Sequence, residues 1–144
     1  MSTRAIIGIQ NNDGTITGAW QWNDGMNIAS LLRREFDTLE KAQELIKNGV
    51  WNNIISQKSK DPLRSFIDWT KRANSDYYLV AVGNCYLLKE KPCDTAEFCF
   101  GDDEGITVNA DGSMTFETFE VANGQDINYL YLFYPEANEW KIYR

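Results

Sequence analysis

The alternation of hydrophobic and polar residues at the start of the chain predicts a β-hairpin. Two short runs, 4–10 (RAIIGIQ) and 15–22 (TITGAWQW), flank the turn sequence NNDG at 11–14. An Asp-Gly pair between such runs is typical of tight hairpin turns, because both residues tolerate positive φ. Trp20 and Trp22 are two residues apart and therefore share a face of the second strand.

A period of 3.6 residues follows the hairpin and predicts three helices, each with one apolar side. The stretches with this period are 28–36, 39–46 and 61–70. Asp37 stands at the cap position of a capping-box sequence, DTLE, and Asn48-Gly49 is typical of a helix end. Pro62 is well placed at the first position of the third helix.

The rest of the chain favours strands separated by loops that contain Gly and Asp. The predicted strands are 77–82, 85–89, 98–100, 106–109, 114–121, 129–134 and 140–143. We therefore expect one α+β domain over residues 1–144, with an N-terminal β-hairpin, three helices, then a mainly antiparallel sheet with the helices packed on one face. The opening hairpin should join the later strands, because two strands alone are marginally stable.

Composition narrows the available chemistry. The 144 residues contain no histidine, which excludes Ser-His-Asp and Cys-His nucleophiles and histidine-ligated zinc. Cys85, Cys93 and Cys99 match no zinc-ligand spacing and are expected to be free thiols in a reducing compartment. The first residues do not resemble an export signal, and no apolar run approaches the roughly 18 residues of a membrane span. We expect a cytoplasmic protein without metal or cofactor.

Charge is divided unevenly along the chain. Residues 1–73 carry 10 bases and 8 acids, whereas residues 74–144 carry 4 bases and 13 acids. No Lys or Arg lies between Lys91 and Lys141. Such a segment repels nucleic acid and attracts basic protein surfaces. Solvated strand faces would show the same pattern, so both interpretations stay open.

Six acids of this segment form a candidate surface for a protein partner with a basic face. They are Asp102, Asp103, Glu104, Asp111, Glu117 and Glu120. Carboxylates spaced along a rigid sheet can imitate the phosphates of a nucleic acid and occupy a nucleic-acid-binding groove. Calcium is the competing ligand for such loops, but neither GDDEG nor NADGS has the spacing of a calcium-binding loop.

The tryptophans of the opening hairpin have two interpretations. In the first, Trp20 and Trp22 are core residues that pack on helices 28–36 and 63–70. In the second, a tryptophan, Asp24 and the start of the first helix form the walls of a pocket for a nucleotide or another small anion. The arginines expected to bind that anion are Arg4, Arg33 and Arg34.

Two enzyme chemistries are alternatives to binding. Glu139-x-Lys141, with Asp126 upstream, has the arrangement of a magnesium-dependent nuclease, but one such pair carries little information in a chain this rich in Glu and Lys. Ser2, exposed by removal of Met1, would suit a hydrolase with an N-terminal nucleophile. We expect that the protein is not an enzyme.

Residues 3–49 resemble a group of small phage and prophage proteins. TRAIIGIQNNDGTITGAWQWNDG starts with Thr-Arg, passes through an Asn-x-Asp-Gly hairpin to an aromatic-Trp-Asp-Gly element and enters a Leu-Leu helix, as that group does. YLYLFYPEANEWKIYR is similar to the aromatic hairpin that closes the group. This chain has Gln21 where the group usually has His, and it inserts Asn23 before Asp24-Gly25. The resemblance implies a phage or prophage origin and no particular mechanism.

Together these observations favour a phage-type accessory protein that acts by binding in the cytoplasm of a bacterial host. The expected partner is a host defence or nucleic-acid-handling protein with a basic surface, which the acidic segment would inhibit. Sequestration of a nucleotide or small anion is the alternative, followed by the two enzyme chemistries. We expect neither direct nucleic-acid binding nor a membrane partner, and the aromatic-rich strands leave homo-oligomerisation open.

Overall fold

The computed structural model of the protein describes residues 3–26, 28–72, 76–100 and 103–144. Its strands are β1 (Ala5–Gln10), β2 (Ile16–Gln21), β3 (Val50–Trp51), β4 (Asn53–Ser56), β5 (Tyr77–Val82), β6 (Cys85–Glu90), β7 (Ile106–Val108), β8 (Met114–Phe116), β9 (Tyr129–Tyr134) and β10 (Glu139–Tyr143). Its helices are α1 (Ala29–Glu35), α2 (Leu39–Ile46), α3 (Lys60–Arg72), α4 (Ala96–Phe100) and α5 (Phe119–Asn123). The predicted α+β class and the N-terminal hairpin are confirmed.

The strands form two sheets. The large sheet has the order β10-β9-β1-β2-β8-β7, with β3 also paired to β2, and the small sheet has the order β4-β6-β5. β1 lies between β2 and β9, so the opening hairpin joins the later strands as predicted. The β1–β9 and β2–β3 pairs are parallel, and the other strand pairs of the described chain are antiparallel.

Both faces of the large sheet are covered, because successive side chains of a strand point to opposite faces. Ile7 and Ile9 of β1 face a core that includes α1 and α2 and continues into the small sheet through Ile54 and Leu87. Ile6 faces a second core that includes residues of α4 and α5. The face opposite to α1 and α2 is therefore covered by α4 and α5, two helices that the sequence did not predict.

Residues 50–56, which lie between two predicted helices and have no predicted element of their own, form β3 and β4. The two residues of β3 have no periodicity of their own. They form a strand because they pair with β2, where Trp20 lies opposite Val50 and Gln21 opposite Trp51. Long-range backbone pairing of this kind is invisible to a search for local periodicity.

Two segments predicted as strands are wholly or partly helical. In place of the strand at 98–100 there is helix α4, in which Ala96 and Phe100, four residues apart, face the same core. The predicted strand 114–121 ends at Phe116 and is followed by α5. Thr118 caps α5, because its side chain accepts a hydrogen bond from the Val121 N–H (3.2 Å).

The cap of α2 is also one residue later than predicted. The Thr38 side chain accepts from the Lys41 N–H (3.3 Å), while Asp37 forms an ion pair with the Lys41 side chain (3.1 Å). None of the helices in the described part of the chain is long and apolar enough to span a membrane.

Candidate functional site

A cavity of about 1040 Å³ lies between the small sheet, α1 and α3. Its lining combines apolar side chains with amides, hydroxyls, a carboxylate and two arginines: Asn23, Asp24, Ile28, Leu31, Arg34, Asn52, Asn53, Ile54, Ile55, Ser56, Ser59, Ser65, Arg72, Tyr77 and Leu88. A concave, mostly apolar site with a few convergent polar groups is the usual form of a small-molecule site.

Hydrogen bonds fix the polar side chains at one end of the cavity. Nδ2 of Asn53 donates to Oδ2 of Asp24 (2.9 Å), a residue whose φ is +56°. Nδ2 of Asn52 donates to Oε2 of Glu90 (3.1 Å), and Tyr77 also bonds to Glu90. Burial, and then the bond to Glu90, raises the pKa of Tyr77, so its hydroxyl is protonated at neutral pH. We call this group the amide end; it consists of Asp24, Asn52, Asn53 and Tyr77.

Arg34 supplies positive charge to the cavity from α1. Its Nε donates to Oε1 of Glu35 (3.2 Å), and the Glu35 side chain is only 4% exposed. A guanidinium has five N–H donors, and this bond uses one of them. The buried carboxylate anchors the Nε edge of the group, whereas the Arg34 side chain is 59% exposed and its remaining N–H groups point to solvent or to the cavity. Arg34, Ser56 and Ser59, all of which line the cavity, are called the arginine end below.

The thiol of Cys85 lies next to the arginine end and is fully buried, which disfavours its nucleophilic thiolate form. Burial, and then the charge of Glu35, raise its pKa to about 12, against a smaller opposite effect of Arg34. A thiol with such a pKa stays protonated and unreactive at neutral pH. Cys85 and Cys93 are free, as the sequence analysis expected, and Cys99 lies outside the described side chains.

The remaining walls are mainly apolar, and their polar members are Asn23, Ser65 and one further arginine. Ile28 and Leu31 line the cavity from the start of α1, and Leu88 lines it from the central strand of the small sheet. Arg72 lines it from the last turn of α3, where its Nε donates to the backbone oxygen of Asp68 (3.4 Å).

Of the residues predicted for a small-anion pocket, Asp24 and Arg34 line this cavity, whereas Trp20, Trp22, Arg4 and Arg33 lie elsewhere. Arg4 forms an ion pair with Asp126 (3.0 Å). Arg33 donates through Nη2 to the backbone oxygen of Trp140 (3.5 Å). The structure thus separates Arg33 and Arg34, which are neighbours on the helix, into two environments.

The tryptophans pack on the opposite side of the large sheet from α1. Trp20 is 4% exposed, and its ring centroid is 5.4 Å from that of Trp22 and 5.1 Å from that of Phe100 in α4. The core interpretation holds for Trp20, but the expected packing of both tryptophans on the first helix is wrong, and most apolar side chains of the third helix lie outside the described side chains. The cause is strand alternation: Trp20 lies opposite Ile6, and Gln21 has the face toward α1.

Four of the predicted acidic residues form one exposed group, called the acidic surface below: Asp103, Glu104, Glu117 and Glu120. The chain before β7 meets the end of β8 here, since the Glu117 N–H donates to the Gly105 oxygen (2.9 Å). The ion pairs of the described chain are Arg4–Asp126, Arg34–Glu35 and Lys41–Asp37, and none includes these four acids. Asp102 lies outside the described residues.

Asp111, the sixth predicted acid, stabilises a turn and does not belong to the acidic surface. Its Oδ1 accepts from the Ser113 hydroxyl (2.6 Å) and N–H (3.0 Å), and these bonds hold the pKa of the carboxyl below its usual range. Asp13 makes the same two bonds to Thr15 in the opening hairpin. An Asn-x-Asp-Gly sequence therefore builds the same turn twice. Asp111 lies at the other end of the β7–β8 hairpin from the acidic surface.

Two of the residues predicted for a nuclease site, Asp126 and Lys141, each contact a different side chain. Asp126 is held by Arg4, and the Lys141 ammonium lies 4.8 Å from the ring centroid of Tyr134. Within the described chain, no group of three Cys, Asp or Glu residues could hold a metal ion. Ser2 lies outside the described residues.

Comparisons with known proteins assign no family to this chain. No protein-family model matches it. No curated protein and no solved structure matches it either. The resemblance to small phage proteins is accordingly an expectation from sequence motifs, and the function must be inferred from the geometry of the cavity and of the acidic surface.

Several residues of the cavity were not foreseen from the sequence. Asn52, Asn53 and Ser56 belong to the segment WNNIIS, which is too short to show a reliable period. Tyr77 and Arg72 come from two elements whose packing is set by the small sheet. The available signal was the pair of asparagines between two predicted helices, since adjacent amides outside turns need hydrogen-bond partners.

Proposed function

We propose that the protein binds a small organic anion in the cavity between α1, α3 and the small sheet, and that it acts by binding rather than by catalysis. One observation carries the proposal: Arg34 lines a cavity whose other walls are apolar or neutral polar side chains apart from Asp24 and Arg72, and the buried Glu35 carboxylate anchors its Nε. A cation held in this way at an apolar wall discriminates for a carboxylate or phosphate. The amide end offers further hydrogen bonds to the same molecule.

Replacing Arg34 with Gln should weaken binding of the anion by about 10- to 100-fold, because a hydrogen bond to a charged group contributes about 1.5–3 kcal/mol. The measurement is a thermal-shift screen with nucleoside monophosphates, dicarboxylic acids and inorganic phosphate, followed by calorimetric titration of each compound that raises Tm. A compound at 100 times its Kd stabilises the folded state by about 2.7 kcal/mol, which such a screen detects easily.

Arg33→Gln is the matched control, since Arg33 is the neighbouring exposed arginine of α1 and does not line the cavity. It should leave the affinity unchanged. Equal losses in the two variants would mean that only the net charge of α1 matters. An absence of binding by every compound would contradict the proposed function.

A second candidate function is inhibition of a host protein with a basic surface, as the resemblance to phage proteins suggests. The acidic surface favours it, because its four carboxylates are exposed and take part in none of the ion pairs of the described chain. Unpaired charges of one sign steer a partner of opposite charge and give salt-sensitive association. Asp111 is no longer part of this surface.

Reversing Glu117 and Glu120 to Lys should abolish capture of a basic host protein from bacterial lysate. The measurement is affinity capture at about 50 and about 500 mM salt, where the interaction should be strong and absent respectively. The control reverses Glu136 and Glu139, two exposed acids of the β9–β10 hairpin, and changes the net charge equally. Identical effects of both double variants, or no partner at either salt, would contradict this candidate.

A further inference from the structure

We infer that the ligand of the cavity is a guanine nucleotide, with its phosphate at Arg34 and its base at Asp24. This inference rests on the proposed function and adds the chemical class and the orientation of the molecule. Three features of the cavity support it: the distance between the two polar ends, the donors at the arginine end, and the acceptors at the amide end.

The two polar ends are separated along the cavity. The Asn53–Asp24 hydrogen bond joins the start of β4 to the turn before α1 (2.9 Å). At the other end of β4, Ser56 lies opposite Cys85, whose thiol is influenced by the charges of Arg34 and Glu35. α1 and β4 therefore run side by side in the same direction.

Regular geometry gives the length of this wall. From Ile28 to Arg34 a helix rises by about 9 Å, and from Asn53 to Ser56 a strand advances by about 10 Å. The two estimates agree, although they come from different elements. A ligand that reaches both ends must carry an anionic group and a hydrogen-bonding group at this spacing, as an extended nucleoside monophosphate does.

The arginine end matches a phosphate. Arg34 has guanidinium N–H groups beyond the one bonded to Glu35, and Ser56 and Ser59, which are joined by a Ser59 N–H to Ser56 oxygen bond (3.1 Å), line the same cavity. Arginine and serine side chains both bind phosphate oxygens, because each supplies directed donors. Glu35 does not line the cavity, so its buried carboxylate affects the ligand only through Arg34, as a positioning residue.

The amide end presents acceptors more than donors. One amide hydrogen of Asn53 is used by Asp24, and its Oδ1 accepts from the Ile54 N–H (2.8 Å). Asn52 donates to Glu90 (3.1 Å). The carboxylate of Asp24 can accept further hydrogen bonds, since it has about four lone-pair sites.

Among the bases, guanine fits such an end. Its N1–H and N2–H groups are adjacent donors that a carboxylate accepts as a pair, whereas adenine places the N1 lone pair there and would be repelled. Arg72, which also lines the cavity, is the side-chain type that binds guanine O6 and N7. Between the two ends, Leu31 and Leu88 offer apolar surface to the base and the ribose.

The test is calorimetric titration of the unmodified protein with GMP, AMP, guanosine and inorganic phosphate. We expect GMP to bind at least tenfold more tightly than AMP and than guanosine. Arg34→Gln should remove the advantage of GMP over guanosine, and Asp24→Asn should remove its advantage over AMP. Arg33→Gln should change neither ratio. Circular dichroism verifies that each variant is folded. If a variant is not folded, the relative affinities of the four compounds for the unmodified protein still test the inference.

The outcomes separate the inference from the function on which it rests. Equal binding of AMP and GMP, or of guanosine and GMP, would overturn the inference. So would a dicarboxylic acid that binds through Arg34 while GMP does not bind, although the proposed anion-binding function would then stand. If neither GMP nor any other anion of the screen binds, both are overturned.

Discussion

Replacing Gly49 with alanine is expected to lower the free energy of unfolding by about 3 kcal/mol or more. Gly49 has a φ of +75°, a conformation that costs an L-residue about 1–2 kcal/mol. A Cβ at this position would also lie 2.2 Å from the Gly112 carbonyl oxygen. That oxygen belongs to the backbone, so no side-chain rotation relieves the clash. The turn of the β7–β8 hairpin would have to leave the end of α2.

Gly83→Ala is the matched control for this prediction. Gly83 also has a positive φ, +56°, but a Cβ there would meet no atom within 4 Å. Gly83→Ala should therefore lower the free energy of unfolding only by the cost of the positive φ, about 1–2 kcal/mol. Urea unfolding followed by tryptophan fluorescence measures both variants. Equal losses would show that the contact between Gly49 and Gly112 is not tight in solution.

Replacing Trp51 with alanine is expected to lower the free energy of unfolding by about 3–5 kcal/mol, as for other large buried aromatic residues. Trp51 is 1% exposed, and its indole N–H donates to Oε1 of Gln21 (3.1 Å). Gln21 is itself fully buried at 0% exposure and donates to the Asn23 oxygen (2.5 Å). Loss of the indole leaves both a void and a buried acceptor without its donor.

Two phenylalanine variants separate these contributions. Trp51→Phe removes the N–H but keeps most of the ring volume, so it should cost about 1–3 kcal/mol through the unpaired Gln21. Trp20→Phe is the control, because the Trp20 indole nitrogen is buried without a hydrogen-bond partner in the described chain. It should cost less than Trp51→Phe in the same urea titration. The reverse order would contradict the importance of the Trp51–Gln21 bond.

The bond between Trp51 and Gln21 also bears on the resemblance to phage proteins. Gln21 stands where that group usually has His. In this protein the Gln21 side chain is buried and accepts a hydrogen bond from the Trp51 indole. Both polar atoms of its side chain make internal hydrogen bonds. The Gln-for-His difference therefore concerns the core of this protein, and the cavity that we propose as the ligand site does not include it.

The candidate site was predictable only in part. Arg34 and Asp24 were identified because arginine and a carboxylate near a helix start are recognisable residue types. Asn52, Asn53 and Tyr77 were not, since they belong to short strands that exist through pairing with distant segments. Likewise, nothing local distinguishes Arg33 from Arg34. Their different roles follow from the rotation of 100° per residue along a helix, once the neighbours of that helix are known.

Local chemistry in the sequence determined the turns and the α+β class. The Asp13 turn formed as expected, because an Asp side chain satisfies the turn N–H within its own four residues. Tertiary structure decided the rest: which face Trp20 occupies, that 96–100 is helical, and that α1 and the small sheet enclose a cavity. These features depend on pairings between residues far apart in the chain, such as β1 with β9. A local pattern specifies the secondary structure of a segment, but only the packing of the sheets specifies which residues that segment contacts.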